Sequence, residues 1–291
     1  MLTLKYIREH QEKVIERLKK KHFDAQGIIA QIVEEDNKRR QIQTEADKKQ
    51  NELNTLSRTI GQLFKAGKAD EANEAKTKTT TLKNDIKNLK ATLTEVENKI
   101  LELQVLLPNL PHSSVPEGKG EEDNEVVESG GEIPQLTDAL PHWELASKYN
   151  LIDFELGNKI TGAGFPVYKG WGAKLQRALI HFFLEEAISA GYQEVQPPLM
   201  VNEDSGFGTG QLPDKEGQMY HVGADNLYLI PTAEVPVTNI FRDVILEEKE
   251  LPVKHCAYSA CFRREAGSWG SHVRGLNRLH QFDKVEIVQI A

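Results

Sequence analysis

Two long heptad repeats in the first 110 residues restrict the fold of this chain more than any other feature. Apolar residues recur at alternating spacings of four and three within residues 28–63 and again within residues 72–107. Such spacing averages roughly 3.5 residues, the period of helices that wrap around one another in a coiled coil. The intervening residues 65–69 read KAGKA, in which the glycine is suited to end a helix. We therefore predict an antiparallel helical hairpin over about residues 25–107, on the order of 55 Å long.

Two further features of this region qualify the hairpin. The charged residues Glu35, Arg39 and Lys49 interrupt the apolar positions of the first repeat. A separate amphipathic segment precedes the hairpin, and we expect it to brace the hairpin's base. Its apolar stripe consists of Leu4, Ile7, Val14, Ile15 and Leu18.

The charge of the hairpin region differs from that of the rest of the chain. Residues 1–110 carry 21 Lys and Arg against 17 Asp and Glu, whereas the whole chain has a net charge of −8. A dimerisation coil or a spacer is the commoner use of heptad repeats, but a basic arm on an acidic chain favours contact with a polyanion. The candidate cations are Lys38, Arg39, Arg40, Lys48 and Lys49 on the first helix, and Lys76, Lys78, Lys83, Lys87 and Lys90 on the second.

A linker separates the hairpin region from the rest of the chain. Residues 111–140 are rich in proline and contain the acidic, glycine-bearing stretch EGKGEEDNEVVESGGE, whose composition cannot form a packed core. We therefore divide the chain into a helical arm (residues 1–110), a linker (111–140) and a globular body (141–291).

Residues 258–288 of the body have the pattern of a long-looped antiparallel hairpin. Residues 258–265 are largely apolar, residues 266–275 are rich in glycine and serine, and residues 279–288 alternate polar with apolar side chains. Because strand side chains alternate between faces, Arg263 and Glu265 should share one face, as should Phe282, Lys284 and Glu286. The simplest alternative is a solvated hairpin whose charges face water.

The composition of the chain indicates the cellular compartment in which the protein works. No apolar run approaches the length needed to span a membrane, and the N-terminus lacks the apolar core of a signal peptide. Cys256 and Cys261 have no companion pair, so we do not expect a zinc site. Two free thiols fit a reducing compartment, and we expect a cytoplasmic protein with no membrane partner.

Several segments of the body resemble one enzyme family. CFRREAGSWGSHVRGLNRLHQFDKVE resembles motif 2 of class II aminoacyl-tRNA synthetases, and a predicted helix over residues 173–191 followed by a strand resembles motif 1. The segments GAGFPVYKGWGAKLQRALIHFF, GTGQLP and LIPTAEVP are similar to those of the seryl-tRNA synthetase family. The resemblance covers essentially the whole chain.

This resemblance implies a fold, a reaction and a set of partners. The fold is α+β: a coiled-coil arm and an antiparallel sheet flanked by helices. From the sequence itself we also predict a helix over residues 239–248, after the LIPTAEVP segment. The reaction joins L-serine to ATP, releases pyrophosphate and passes the seryl group to serine tRNA. The arm binds the elbow and long variable arm of that tRNA, and motif 1 forms a homodimer.

The resemblance also implies roles for individual residues. Arg263 is the catalytic residue, because it holds the α-phosphate and the attacking carboxylate. The serine site comprises Thr232, Ala233, Glu234, Arg263 and Glu286. The ATP site comprises Arg263, Arg264, Glu265, Leu279 and Phe282, with the adenine stacked on Phe282. Arg274 belongs to a loop that meets the acceptor end of tRNA, although its neighbours Ser271, His272 and Val273 depart from the family's GRDTRG pattern.

The position of Ala291, just after motif 2, shapes our expectation of activity. The family continues to a motif 3 arginine that holds the γ-phosphate and to carboxylates that bind Mg²⁺, so we expect the Mg²⁺ ligands to lie beyond Ala291. Weak or absent activity of the chain alone is then expected. Two alternatives remain: a catalytically silent tRNA-binding fragment, and a coiled-coil scaffold in which the synthetase-like residues have no purpose.

Overall fold

The chain folds into two compact units, Met1–Ile133 and Pro134–Ala291. The computed structural model describes residues 2–266 and 274–291. From residue 2 onward, the first unit contains four helices, named α1 to α4 in chain order, and a short 3₁₀ turn. Their bounds are Leu4–Glu9 (α1), Gln11–Lys19 (α2), Gln26–Lys65 (α3), Ala69–Leu106 (α4) and Glu121–Asp123 (3₁₀).

The predicted helical hairpin is confirmed. Helices α3 and α4 are joined by a short turn in which Gly67 has a positive φ of 74°, a conformation that glycine adopts without steric cost. Ion pairs between the helices show that they are antiparallel, since each step forward in α3 meets an earlier residue of α4. These pairs are Glu35–Lys99, Lys49–Asp85 and Glu52–Lys78.

The heptad positions form the interface between α3 and α4, and its charged interruptions are paired. Buried Glu35 accepts hydrogen bonds from Lys99 at 2.6 Å and Lys38 at 3.2 Å, and Lys49 reaches Asp85 at 2.7 Å. A buried charge is tolerated only when it is compensated in this way. The apolar residues buried in α3 and α4 are Ile29, Ile32, Ala46, Leu53, Ala72, Ala75, Leu82, Ile86 and Ile100.

The N-terminal helices pack on the base of the hairpin, as the amphipathic pattern predicts. One apolar cluster joins residues of α1 and α2 to the start of α3 and the residues that follow α4. Its buried members are Ile7, Val14, Leu18, Ala25, Ile29, Ile32 and Leu107. The brace also has a polar part, because Arg8 of α1 donates a hydrogen bond to Asp36 of α3 at 2.9 Å.

Asp36 is buried at this base and is held by two arginines. It is 2% exposed and accepts hydrogen bonds from Arg39 at 3.0 and 2.9 Å as well as from Arg8. Burial acts to raise the pKa of Asp36, but the hydrogen bonds from Arg39 and Arg8 outweigh burial and leave this pKa below its ordinary value.

The second unit is a mixed α+β structure, as expected. Its helices in the described residues are His142–Lys148 (α5), Phe154–Ile160 (α6), Trp171–Ser189 (α7), Glu203–Gly208 (α8) and Glu234–Asn239 (α9), with a 3₁₀ turn at Glu248–Glu250. Its strands are Ile152–Asp153 (β1), Val167–Tyr168 (β2), Gln193–Glu194 (β3), Met200–Val201 (β4), His221–Val222 (β5), Leu227–Leu229 (β6), Val253–Phe262 (β7) and Gln281–Ile290 (β8).

These strands form three small sheets in the described part of the unit. Strand β1 pairs with β2, the second sheet has the order β3-β7-β8, and the third has the order β4-β6-β5. Strand β3 runs parallel to β7, and the other pairs are antiparallel. No helix in the described residues combines the length and the apolar character that crossing a membrane requires.

Two local predictions are wrong. The helix expected at residues 239–248 instead ends at Asn239 as α9, which can contain Pro236 because its first turn needs no N–H donor there. After α9 the chain turns, and Asp243 has a positive φ of 60°. Strand β7 ends at Phe262, so Arg263 and Glu265 are not strand neighbours that share a face. Glu265 has a φ of 48°, which ends the alternation of side chains.

Replacing Asp36 by asparagine should destabilise the chain by about 2–3 kcal/mol near pH 7, because three charged hydrogen bonds from two arginines lose their anionic acceptor. A carboxyl whose pKa is lowered by folding stabilises the fold above its unfolded-state pKa, and this contribution is lost as the pH falls through the lower folded-state value. The difference between Asp36→Asn and the unmodified chain in urea denaturation should therefore shrink in acid. Exposed Asp47→Asn serves as the control, and a difference independent of pH would contradict this account.

Candidate active site

The candidate site is built on one face of the long hairpin formed by β7 and β8. Alternation along β8 places Phe282, Lys284 and Glu286 on the same face. The residues paired with them across the hairpin are small and buried. The cross-strand pairs on this face are Ala257–Glu286, Ser259–Lys284 and Cys261–Phe282.

A loop between β6 and α9 brings Thr232 over this face. The backbone N–H of Phe262 donates to the carbonyl of Ile230 at 2.9 Å, which holds the loop beside the end of β7. Thr232 is only 4% exposed, and its hydroxyl donates to Glu286 Oε2 at 2.5 Å. Lys284 Nζ donates to Thr232 Oγ1 at 3.0 Å and forms an ion pair with Glu286. Threonine, lysine and glutamate therefore form one connected cluster.

The neighbours of Thr232 differ in their surroundings. Ala233 is fully buried and packs with Val237 of α9 and Ala257 of β7, so it fixes the loop against the sheet. Glu234 is the first residue of α9 and is exposed, with its backbone N–H 3.4 Å from Thr232 Oγ1. Its side chain makes no hydrogen bond or ion pair with the residues that the structure describes.

Arg263 lies at the other end of the same face. Its backbone N–H donates to the carbonyl of His280 at 2.9 Å, and its Nε donates to the carbonyl of Pro231 at 3.4 Å. The guanidinium carbon lies 5.1 Å from the centre of the Phe282 ring, within the range of a cation–π contact. The structure therefore brings Arg263, Phe282, Thr232 and Glu286 together on one surface.

The remaining predicted ATP residues lie in the segments that flank the ends of the two strands. Arg264 is exposed, and its backbone N–H donates to the carbonyl of Gln218 at 2.8 Å. The side chain of Glu265 is 12% exposed and lies 3.6 Å from Arg278 Nη1. Leu279 is buried, just before β8.

The opposite face of β8 is tied to helix α7. Asp283 accepts a hydrogen bond from the hydroxyl of Tyr258 at 2.6 Å and another from the side-chain amide of Gln176 on α7. Burial, followed by the hydrogen bond to Asp283, raises the pKa of Tyr258 to about 12. Because Asp283 faces α7, its neighbours Phe282 and Lys284 are directed to the candidate site.

Sequence reasoning assigned no role to two residues of the site. Lys284 lies between Phe282 and Glu286 in the alternating pattern, and this position was the signal that could have identified it. His280 stacks on Phe165 with ring centres 5.3 Å apart, and its Nδ1 lies 2.6 Å from the hydroxyl of Tyr220. No local pattern indicates this contact, because Phe165 and Tyr220 are distant in sequence.

The candidate cations of the arm fall into two groups. Lys38 pairs with Glu34 and Glu35, and Arg39 pairs with Asp36. Lys49 pairs with Asp85 and Lys78 with Glu52. Among the described residues the other six candidates have no ion-pair partner within 4 Å. These six are Arg40, Lys48, Lys76, Lys83, Lys87 and Lys90.

The predicted contacts of the motif 2 loop are only partly visible. The guanidinium of Arg274 lies 5.2 Å from the Trp143 ring centre, and His142 Nε2 accepts a hydrogen bond from the backbone N–H of Leu276 at 2.8 Å. Ser271, His272 and Val273 lie outside the described residues. In residues 2–266 and 274–291 no group of three or more His, Cys, Asp or Glu side chains could hold a metal ion.

Comparison with known proteins identifies the family. Residues 1–111 match the model of the seryl-tRNA synthetase N-terminal domain, and residues 220–291 match that of the tRNA synthetase class II core domain (G, H, P, S and T). The serine–tRNA ligase of Salinibacter ruber is 50% identical over 291 residues, an alignment that covers all of this chain and 68% of that protein. The chain belongs to the seryl-tRNA synthetase family.

Other members of the seryl-tRNA synthetase family agree with this assignment. The serine–tRNA ligase of Akkermansia muciniphila is 44% identical, over all of this chain and 68% of its own length. The crystal structure of seryl-tRNA synthetase from Pyrococcus horikoshii complexed with ATP has a TM-score of 0.83 and 32% identity, and the match covers 99% of this chain and 69% of that one. The chain therefore spans about two thirds of the length of these relatives, and its α+β fold is that of the family.

Spectroscopic titration can test the contact that orients β8. Replacing Tyr258 by phenylalanine should remove a tyrosine that ionises at a pKa of about 12, and Asp283→Asn should lower that pKa because the acceptor loses its charge. The measurement is the ultraviolet absorbance of tyrosinate as the pH is raised. Tyr149→Phe, at an exposed tyrosine, is the control. If the tyrosinate absorbance of Tyr258→Phe rises at high pH as it does in the unmodified chain, Tyr258 is not the tyrosine with the raised pKa.

Proposed function

We propose that this chain activates L-serine with ATP and delivers the seryl group to serine tRNA. The single observation that carries this proposal is the cluster of Thr232, Lys284 and Glu286, placed on the same strand face as Arg263 and Phe282. The cluster offers a carboxylate and a hydroxyl to an amino acid at one end, and an aromatic ring with a guanidinium to a nucleotide at the other. Membership of a family whose relatives are named serine–tRNA ligases supports the same reaction.

In the proposed reaction the serine carboxylate attacks the α-phosphorus of ATP and pyrophosphate leaves. A carboxylate is already a nucleophile, so no general base is needed, and catalysis consists of positioning and of stabilising charge on the phosphate. Arg263 is the catalytic residue, because its guanidinium can hold the α-phosphate and the attacking carboxylate together. Glu286 and Thr232 bind the amino group and the polar parts of serine, and Ala233 and Glu234 complete the pocket.

We assign the adenine to the region around Phe282. The ring can stack on the base, while Glu265 and the backbone at Leu279 meet the base's edge and Arg264 contributes to phosphate binding. Support comes from the placement of Arg263 against Phe282 and from the relative of known structure complexed with ATP. We propose that Mg²⁺ accompanies the ATP, and we assign none of the described residues as its ligands.

We further propose that residues 1–110 are a tRNA-binding arm, residues 111–140 a linker and residues 141–291 the catalytic domain, in a cytoplasmic protein. The unpaired cations of the arm support tRNA binding, since a cation already engaged by a carboxylate contributes less to a phosphate. Lys38 and Arg39 are weaker candidates by this criterion, and Arg274 would meet the acceptor end of the tRNA.

The exposed surface of α7 supports a homodimer formed through motif 1. This helix carries several large apolar side chains that remain between 45% and 75% exposed in the part of the chain that the structure describes. Clusters of this kind typically mark interfaces between proteins. The exposed residues are Trp171, Leu175, Leu179, Phe182 and Phe183.

Serine-dependent exchange of pyrophosphate with ATP tests the activation step. Exchange by the chain alone is expected to be weak, so the comparison is relative: Glu286→Ala should lower the serine-dependent rate by up to roughly a hundredfold, because a charged hydrogen bond to the substrate contributes up to about 3 kcal/mol. The matched control is Glu248→Ala, at an exposed glutamate in the 3₁₀ turn before β7. If the unmodified chain exchanges pyrophosphate only in a serine-independent manner, or if Glu286→Ala retains near-normal exchange, the assignment fails.

Salt titration of tRNA binding tests the arm. The double variant Lys76→Gln, Lys83→Gln should weaken binding of serine tRNA and reduce the slope of log affinity against log salt by roughly one per lysine. Lys159→Gln with Lys254→Gln changes the net charge equally outside the arm and should leave both quantities nearly unchanged. A scaffold without an RNA partner would show no salt-sensitive binding of this tRNA by the unmodified chain.

A further inference from the structure

The Lys284 ammonium contacts Thr232 and Glu286, the two side chains to which the proposed function assigns the amino group of serine. Its Nζ lies 3.0 Å from Thr232 Oγ1 and is ion-paired with Glu286. An α-ammonium group of serine, bound by Glu286 and Thr232, would be a cation at this same position. We propose that the Lys284 ammonium is a built-in placeholder for the substrate ammonium, and that serine binds by displacing it. This inference rests on the proposed function and deepens it.

The hydrogen bonding of Thr232 leaves little capacity for a second cation. The Thr232 hydroxyl donates its only hydrogen to Glu286 and already accepts from Lys284. Thr232 is nearly fully buried, and the Glu286 side chain is 18% exposed, so water cannot freely replace these partners. Two ammonium groups at one carboxylate would also repel each other. Binding of the substrate ammonium at Thr232 Oγ1 and Glu286 Oε2, where the Lys284 ammonium lies, therefore requires the departure of Lys284.

The surroundings of Lys284 allow this departure. The neighbour of Lys284 across the hairpin is Ser259, a small residue. The side chain of Lys284 is 34% exposed. A flexible four-carbon stem lets the ammonium swing along the strand face towards Phe282. The proposed function places the phosphates of ATP between Phe282 and the serine pocket, so the displaced cation would meet an anion. The net charge around Glu286 then stays the same before and after serine binds.

Displacement of Lys284 would make the pocket selective for ligands that carry an ammonium group. Displacement of one ammonium by another conserves the charge pairing of Glu286, whereas a ligand without an ammonium would leave a buried carboxylate unpaired if Lys284 departed. Glycerate has the carboxylate and the hydroxyl of serine but carries a hydroxyl in place of the α-ammonium. Glycerate should therefore fail to displace Lys284. If Lys284 were instead a direct ligand of the substrate carboxylate, it would hold serine and glycerate alike.

The test follows the ammonium groups of lysine by nuclear magnetic resonance in the full chain labelled with ¹⁵N-lysine. The Lys284 signal is assigned by its absence from Lys284→Met or, if that variant does not fold, from Lys284→Arg. We expect this signal to be protected from exchange with water in the free chain and to lose that protection in Glu286→Gln. Saturating L-serine should remove the protection, and the same concentration of glycerate should not. Lys254, on the other face of the hairpin, provides an internal reference.

Calorimetric titration with L-serine gives the second readout. Affinity should rise several-fold in Lys284→Met, because serine no longer competes with a resident cation, and should be unchanged in Lys254→Met. A Lys284 signal that exchanges as fast as that of Lys254 in the free chain overturns the inference, and so does one that stays protected with serine bound. Weaker serine binding in Lys284→Met also overturns it. If neither the unmodified chain nor Lys284→Met binds serine, the proposed function is wrong, and the inference, which rests on it, is wrong as well.

Discussion

The antiparallel register of β7 and β8 determines where each residue of the candidate site lies. A shift of one residue would turn Phe282, Lys284 and Glu286 towards α7 and bring Asp283 to the site face, because side chains alternate along a strand. The pairing of Asp283 with Tyr258 and Gln176 opposes such a shift, since Asp283 would lose both donors. The loop that carries Thr232 depends on the same register through its contacts with Phe262 and Glu286.

Much of the fold could be predicted from periodicity. The heptads located α3, the turn at Gly67 and α4, because a long amphipathic pattern has few alternative structures. The polar alternation of residues 279–288 located β8 and the face shared by its site residues. Family resemblance added the residues of the loop at Thr232, which no local pattern identifies as functional.

The wrong predictions concern segments whose backbone conformation differs from the one that their sequence pattern indicates. Residues 239–248 contain enough helix-forming side chains to suggest a helix, yet the helix lies earlier because Pro236 fits a first turn and Asp243 takes a left-handed conformation. The strand predicted to continue through Glu265 ends at Phe262 for a similar reason. The contact of Lys284 with Thr232 joins residues 52 positions apart, and tertiary contacts at that separation leave no periodic trace.

The composition of the interface between α3 and α4 has a consequence for how the arm opens. Close to its base the interface buries isoleucines and a doubly paired Glu35, whereas towards the turn at Gly67 the buried residues of α4 are Ala72, Ala75 and Thr79. Small side chains remove less apolar surface from water, so each turn of helix near the tip is held more weakly. Local opening should therefore begin at Gly67 and spread towards the base. Local stability along the arm then decreases from the base, beside Asp36, to the turn at Gly67.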